Sequence, residues 1–150
     1  MTTKASTGLR NHLLATGSLR AALNGGFLEL YSGAEPATAD MAVPAGTLLL
    51  RVYSDGTSAA LNLAATAADG FIEKSGTETW TGTVLADGKA TWFRWVPAAD
   101  SPGAGAASLT AARLQGSVAR AGGDLNISDV DLVSGAVQAI NYFTVALPSF

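Results

Sequence analysis

The sequence predicts an all-β domain, an antiparallel β-sandwich or barrel, with a jelly-roll sandwich as the first choice among topologies that strand count does not separate, entered through a short N-terminal helix or helical arm. Three observations predict it. About eight or nine short runs rich in apolar, β-branched or aromatic residues are separated by Gly, Pro, Asn and Asp turn signals. No long helical pattern alternates with those runs, which argues against a parallel α/β sheet. Only 14% of the 150 residues are charged while 17 are glycine, a composition that suits a β-rich body with a neutral or partner-covered surface. The length is that of one domain with a real core. Residues 1–6 read as a flexible arm and residues 7–150 as a single sandwich.

Residues 7–23 carry a helical stripe, Leu9, Leu13 and Leu14, resumed at Leu19 and Leu23, with Thr7 as the expected cap. Asn24-Gly25-Gly26 stops it, and Gly17 weakens its middle, so one helix and two short helical turns are both open. Residues 27–32 alternate, Leu28 and Leu30 on one side and Glu29 and Tyr31 on the other. Residues 33–46 contain Pro36 and Pro44 without periodicity and read as a long surface loop. Residues 47–53 are a strand ended by Ser54-Asp55-Gly56. Leu61 and Leu63 fit a short strand in an alanine-rich stretch, and residues 71–74 fit another. Residues 98–108 read as a flexible loop. Strands are then expected over 112–118, 124–128 and 136–147. In the last, Val137, Phe143, Val145 and Leu147 face inward, while Gln138, Tyr142 and Thr144 face outward. Ile140 and Asn141 break those rows, which calls for a bulge near them.

All three tryptophans fall in residues 79–96, which read as one hairpin turning at Asp87-Gly88. A two-residue turn there sets Val84 opposite Thr91, Gly82 opposite Phe93 and Trp80 opposite Trp95, on one apolar face. Trp92 and Arg94 then project from the other face, opposite Thr83 and Thr81. An aromatic beside an arginine on an outward face fits a protein–protein contact. It also fits packing beneath the N-terminal helix or a loop, or a platform for a sugar ring.

Catalytic chemistry has little to stand on. His12, the only histidine, lies in the predicted helix beside Arg10 with no triad partners around it, as a surface or packing residue would. Glu29, Glu73 and Glu78 read as outward strand residues rather than a glycosidase pair. Asp124, Asp129 and Asp131 lack the ligand order and central glycine of an EF-hand, and Gly103 and Gly105 precede no lysine. With no cysteine there is neither a thiolate nucleophile nor a thiolate metal site. No catalytic residue, cofactor or metal is therefore assigned. The net charge of −3 and nine scattered basic residues give no footprint for nucleic acid. No stretch approaches a membrane span, and the polar N-terminus lacks an apolar signal core, so synthesis and residence or assembly in a cytoplasm are expected.

The segment from Thr7 to Gly33, ending Leu28-Glu-Leu-Tyr-Ser-Gly33, resembles small structural proteins of tailed phages, in which a short helical entry leads to such a strand. Ala90-Thr-Trp-Phe-Arg-Trp95, Leu114-Gln-Gly-Ser-Val118, Gly123-Asp-Leu-Asn-Ile-Ser128 and Asn141-Tyr-Phe-Thr-Val145 are similar too. Among such proteins the chain looks most like the jelly-roll cement or decoration proteins of podovirus-type heads. That resemblance implies a non-enzymatic virion protein made in the host cytoplasm. It would bind on the capsid surface across joints between major capsid subunits, as a dimer or trimer. A tail or head–tail component and a carbohydrate-binding or host-attachment module are the alternatives. The expected contact surface comprises the N-terminal arm with Trp92, Arg94, Thr81, Thr83, Arg10 and His12.

Overall fold

A computed structural model describes residues 3–103 and 105–149; Met1 and Thr2 of the expected arm, Ala104 of the expected loop and Phe150 lie outside it. The chain is mostly β, in antiparallel sheets behind a short helical entry. Lys4 and Ala5 are not a free arm. They form β1 (Lys4–Ala5) against Gln115 and Leu114. The helix cap is Ser6 rather than Thr7. The Ser6 hydroxyl accepts from the Leu9 N–H at 3.1 Å and donates to the Ala111 carbonyl at 2.7 Å. Thr7 instead gives its N–H and hydroxyl to the Asp40 carboxylate, each at 2.7 Å. The entry is two helices, α1 (Thr7–Ala15) and α2 (Leu19–Leu23). The N–H groups of Thr16 and Gly17 both return to the His12 carbonyl, and Ser18 caps the second helix.

The main sheet uses β2 (Phe27–Tyr31), β3 (Leu48–Val52), β7 (Trp92–Val96) and β8 (Leu114–Ala119), in the order β1-β8-β7-β2-β3. A short β9 (Leu125–Asn126) runs parallel to β8. Three two-stranded ladders complete the set. They pair β4 (Phe71–Glu73) with β12 (Thr144–Ala146), β5 (Trp80–Thr83) with β11 (Val137–Ile140), and β6 (Gly88–Lys89) with β10 (Asp131–Leu132). Paired bonds between Tyr53 and Thr81, at 2.8 and 3.0 Å, carry the hydrogen bonding from the end of β3 to β5.

The tryptophan hairpin of the sequence reading is not formed. Trp80 lies opposite Ile140, and Trp95 lies between Leu28 and Leu114. Gly88 begins β6 and lacks the positive φ of the expected turn. A strand that can pair on both sides buries more than a hairpin arm: all five residues of β7 are buried between β2 and β8. Nor does Gly82 lie opposite Phe93. A Cβ there would collide with the carbonyl oxygen of Arg51, so the missing side chain lets β5 pass close to β3.

Residues 136–147 hold a full break rather than a bulge. Inward parity changes across it: Ile140 is buried before the break, Phe143 and Val145 after it. Val137 and Leu147, both expected inside, are exposed. Phe143 joins the layers, its ring 5.8, 5.7 and 5.4 Å from Trp80, Phe93 and Trp95. Leu28, Leu30, Leu50 and Val52 from the main sheet fill the same core, as Trp80, Phe93 and Trp95 were expected to.

Candidate functional site

The second face of the main sheet is where the sequence reading placed the contact surface, and it is interior. Cross-strand register aligns Arg51, Glu29, Arg94 and Gln115 in one row over β3, β2, β7 and β8. Arg94 gives Nε and Nη2 to the Gln115 Oε1, at 3.0 and 2.6 Å, and Nη1 to the Met41 carbonyl at 2.8 Å. Gln115 passes its own amide hydrogen to the Pro36 carbonyl at 2.7 Å. Trp92 stacks on Tyr31, centroids 4.2 Å apart, and its indole N–H reaches the Ser32 carbonyl. The proline-bearing loop of residues 33–46 is thus a roof, stitched down by its carbonyls. The later loop adds to it: the Gly103 N–H binds Glu29 at 3.1 Å, and Arg113 holds Asp100 and the Ala106 carbonyl, each at 2.8 Å.

Trp92 and Arg94 are 0% exposed, which removes both the expected interface and the expected sugar platform there. Of the three readings open for this pair, packing beneath a loop is the one found. Thr81 and Thr83 do not accompany them: both are on β5, where Thr83 is exposed opposite Val137 and Thr81 is half-buried. Arg10 is exposed on α1, its Nη2 bound to the Thr7 hydroxyl at 3.0 Å. His12 is half-buried, with Nε2 beside the Gly17 backbone and without a hydrogen-bond partner. Glu29, Glu73 and Glu78 are placed separately, on β2, on β4 and just before β5. Glu29, expected outside, is buried and accepts from the Tyr31 hydroxyl and from Arg51 Nη1 at 3.1 Å. Glu78 is occupied by Asn62 and the Trp80 indole, and Glu73 is exposed on β4. Among the described residues no three potential metal-ligating side chains converge, and no helix is long and apolar enough to cross a membrane.

Burial pushes the Glu29 carboxyl above its ordinary value of 4.5, against the opposing pull of Tyr31, Gly103 and Arg51. As pH rises through 4.5, the unfolded chain releases a proton that the folded protein keeps, so this group lowers stability across the window above that value. Urea unfolding of the wild type and Glu29→Gln from about pH 4 to pH 7 tests it. The wild-type free energy minus that of the variant falls with pH, by at most about 1.4 kcal/mol per unit. A flat or rising difference contradicts the assignment.

An exposed feature outside those residues is an apolar groove of about 820 Å³ between the helical entry and the β4–β12 ladder. One wall carries Leu13, Leu14 and Leu19, flanked by Arg10 and Arg20; the other carries Phe71, Ile72, Val145 and Leu147. Leu14 is 84% exposed, Phe71 49% and Leu147 56%. Isolated exposed apolar residues need no explanation, but a contiguous set lining a groove marks a binding surface. The sequence reading missed it, though a signal was present. Leu14 stands one position past Leu13, too far round a helix to share its inward face fully. Comparisons with protein-family models, curated proteins and solved structures give no match to the chain.

Proposed function

We propose that the chain is a non-enzymatic virion structural protein of the tailed-phage kind, a cement or decoration protein that bridges major capsid subunits as a homo-oligomer. The observation that carries the proposal is the groove: a large, solvent-open apolar surface on a body whose main sheet has both faces covered. The sequence resemblance supports the capsid as partner, and the jelly-roll reading of the sandwich belongs to the same proposal. Antiparallel strands on either side of Phe143 are what support that topology. The contact surface moves from Trp92 and Arg94 to Leu14, Phe71 and Leu147, with Arg10 retained at its edge.

The mechanism is mass action. A protein that binds the assembled lattice and not the free subunit stabilises the lattice, by about 2.7 kcal/mol per site when present at a hundred times its Kd. A covered, hydrogen-bonded sheet supplies a stiff clamp. Sedimentation with purified heads of the encoding phage, beside its tails and free capsid subunits, tests the assignment. The wild type pellets with heads alone. Leu14→Ser with Leu147→Ser reduces occupancy more than tenfold while changing folding stability by less than about 1 kcal/mol, because both residues are exposed. Pelleting with tails, or full occupancy by the double variant, overturns it.

A further inference from the structure

We infer that the groove between the helical entry and the β4–β12 ladder takes a polypeptide segment with one apolar side and one acidic edge. The inference rests on the groove being the docking surface and names what docks there. Its charged side chains are Arg10 and Arg20, both on the helical wall, and among the described residues no carboxylate side chain lines it. On a chain of net charge −3 this is a local reversal of sign. Neither arginine is used up. Arg20 donates Nε to the Ala64 carbonyl at 2.9 Å, and Arg10 donates one Nη2 hydrogen to Thr7, each guanidinium having five donors in all. Asp40 lies within the field of Arg10, but both its oxygens are bound by Thr7.

The wall opposite is uncharged, with Phe71, Ile72, Val145 and Leu147. An occupant that meets both walls is therefore apolar toward the strands and acidic toward the helices. Exposure of Leu14, Phe71 and Leu147 leaves the groove open along its top. A lone alkyl chain gains most from enclosure on nearly all sides, whereas an amphipathic segment lays one face into an open groove. Arginines at one rim then fix its orientation and reject a basic edge.

Titration of the ¹⁵N-labelled protein with two synthetic amphipathic peptides tests this. Both carry the same Leu/Phe face; one has a glutamate edge and the other a lysine edge, and oleate is titrated in parallel. The glutamate-edged peptide shifts the amides around Leu14, Phe71 and Leu147 and binds about tenfold more tightly than the lysine-edged one, an advantage that shrinks with salt. Arg10→Glu with Arg20→Glu reverses the preference. Arg10→Glu alone, which leaves the Ala64 bond intact, moves it in the same direction and guards against misfolding of the double variant. Equal binding, a lysine preference, shifts confined elsewhere, or tighter saturation by oleate overturns the acidic-edge partner. If heads nevertheless bind through Leu14 and Leu147, only the partner's chemistry is wrong; if the groove substitutions leave head binding intact, the docking surface is wrong as well.

Discussion

Arg94→Ala lowers the unfolding free energy by about 3–5 kcal/mol, as expected when a large buried side chain is removed and two hydrogen-bond acceptors lose their donor, at about 1–3 kcal/mol for each buried group left unpaired. The partners are specific. Gln115 Oε1, buried under the roof, loses both of its guanidinium bonds, and the Met41 carbonyl, on the roof itself, loses its donor. Loss of the guanidinium also takes away the cation 5.4 Å from the Trp92 ring. Urea denaturation checks the magnitude, with Thr83→Ala, an exposed residue of β5, as the comparison expected within about 0.5 kcal/mol. Against a total stability of about 5–15 kcal/mol for a domain, the Arg94 change is large enough to loosen the loop of residues 33–46. A stable Arg94→Ala protein would mean that the roof is not closed.

Phe143→Ala has an effect of the same size, about 3–5 kcal/mol, through a different cause. Its ring is the common neighbour of Trp80, Phe93 and Trp95, so truncation opens a cavity that three large rings cannot jointly fill. Tyr142, one residue earlier and exposed, provides the control: Tyr142→Ala changes stability by about 0.5 kcal/mol or less. Near-ultraviolet circular dichroism reads the same event, since the tryptophan environments lose their fixed packing. Equal stabilities for the two variants would contradict the placement of Phe143 between the layers.

Local features were legible in the sequence because their causes are local. Alternation at Leu28 and Leu30 locates β2, Gly17 divides the helical entry, and the large apolar residues Trp80, Phe93, Trp95 and Phe143 belong to the core. What failed was partner choice. Asp87-Gly88 is a strong turn signal, yet β7 gains more by pairing with β2 and β8 than with its sequence neighbour. That choice puts Trp92 and Arg94 inside. Period-two alternation separates the two faces of a strand but does not say whether the second face is wet. Here a row of Arg, Glu, Arg and Gln reads as a surface because its acceptors come from the carbonyls of an aperiodic loop, which no side-chain pattern announces. The groove was hidden for a related reason: its walls lie far apart in sequence, and Leu147 shares the inward parity of Phe143 and Val145 yet lies exposed just past the end of β12.

Hydroxyl-radical footprinting of the chain, free and bound to phage heads, tests most directly the claim that the sheet's second face is interior and the groove is what meets a partner. Leu14, Phe71 and Leu147 are oxidised in the free protein and protected on the head, while Trp92 is unreactive in both states. Oxidation of Trp92 in the free chain that disappears on binding, with no change at Leu14 and Leu147, would contradict it.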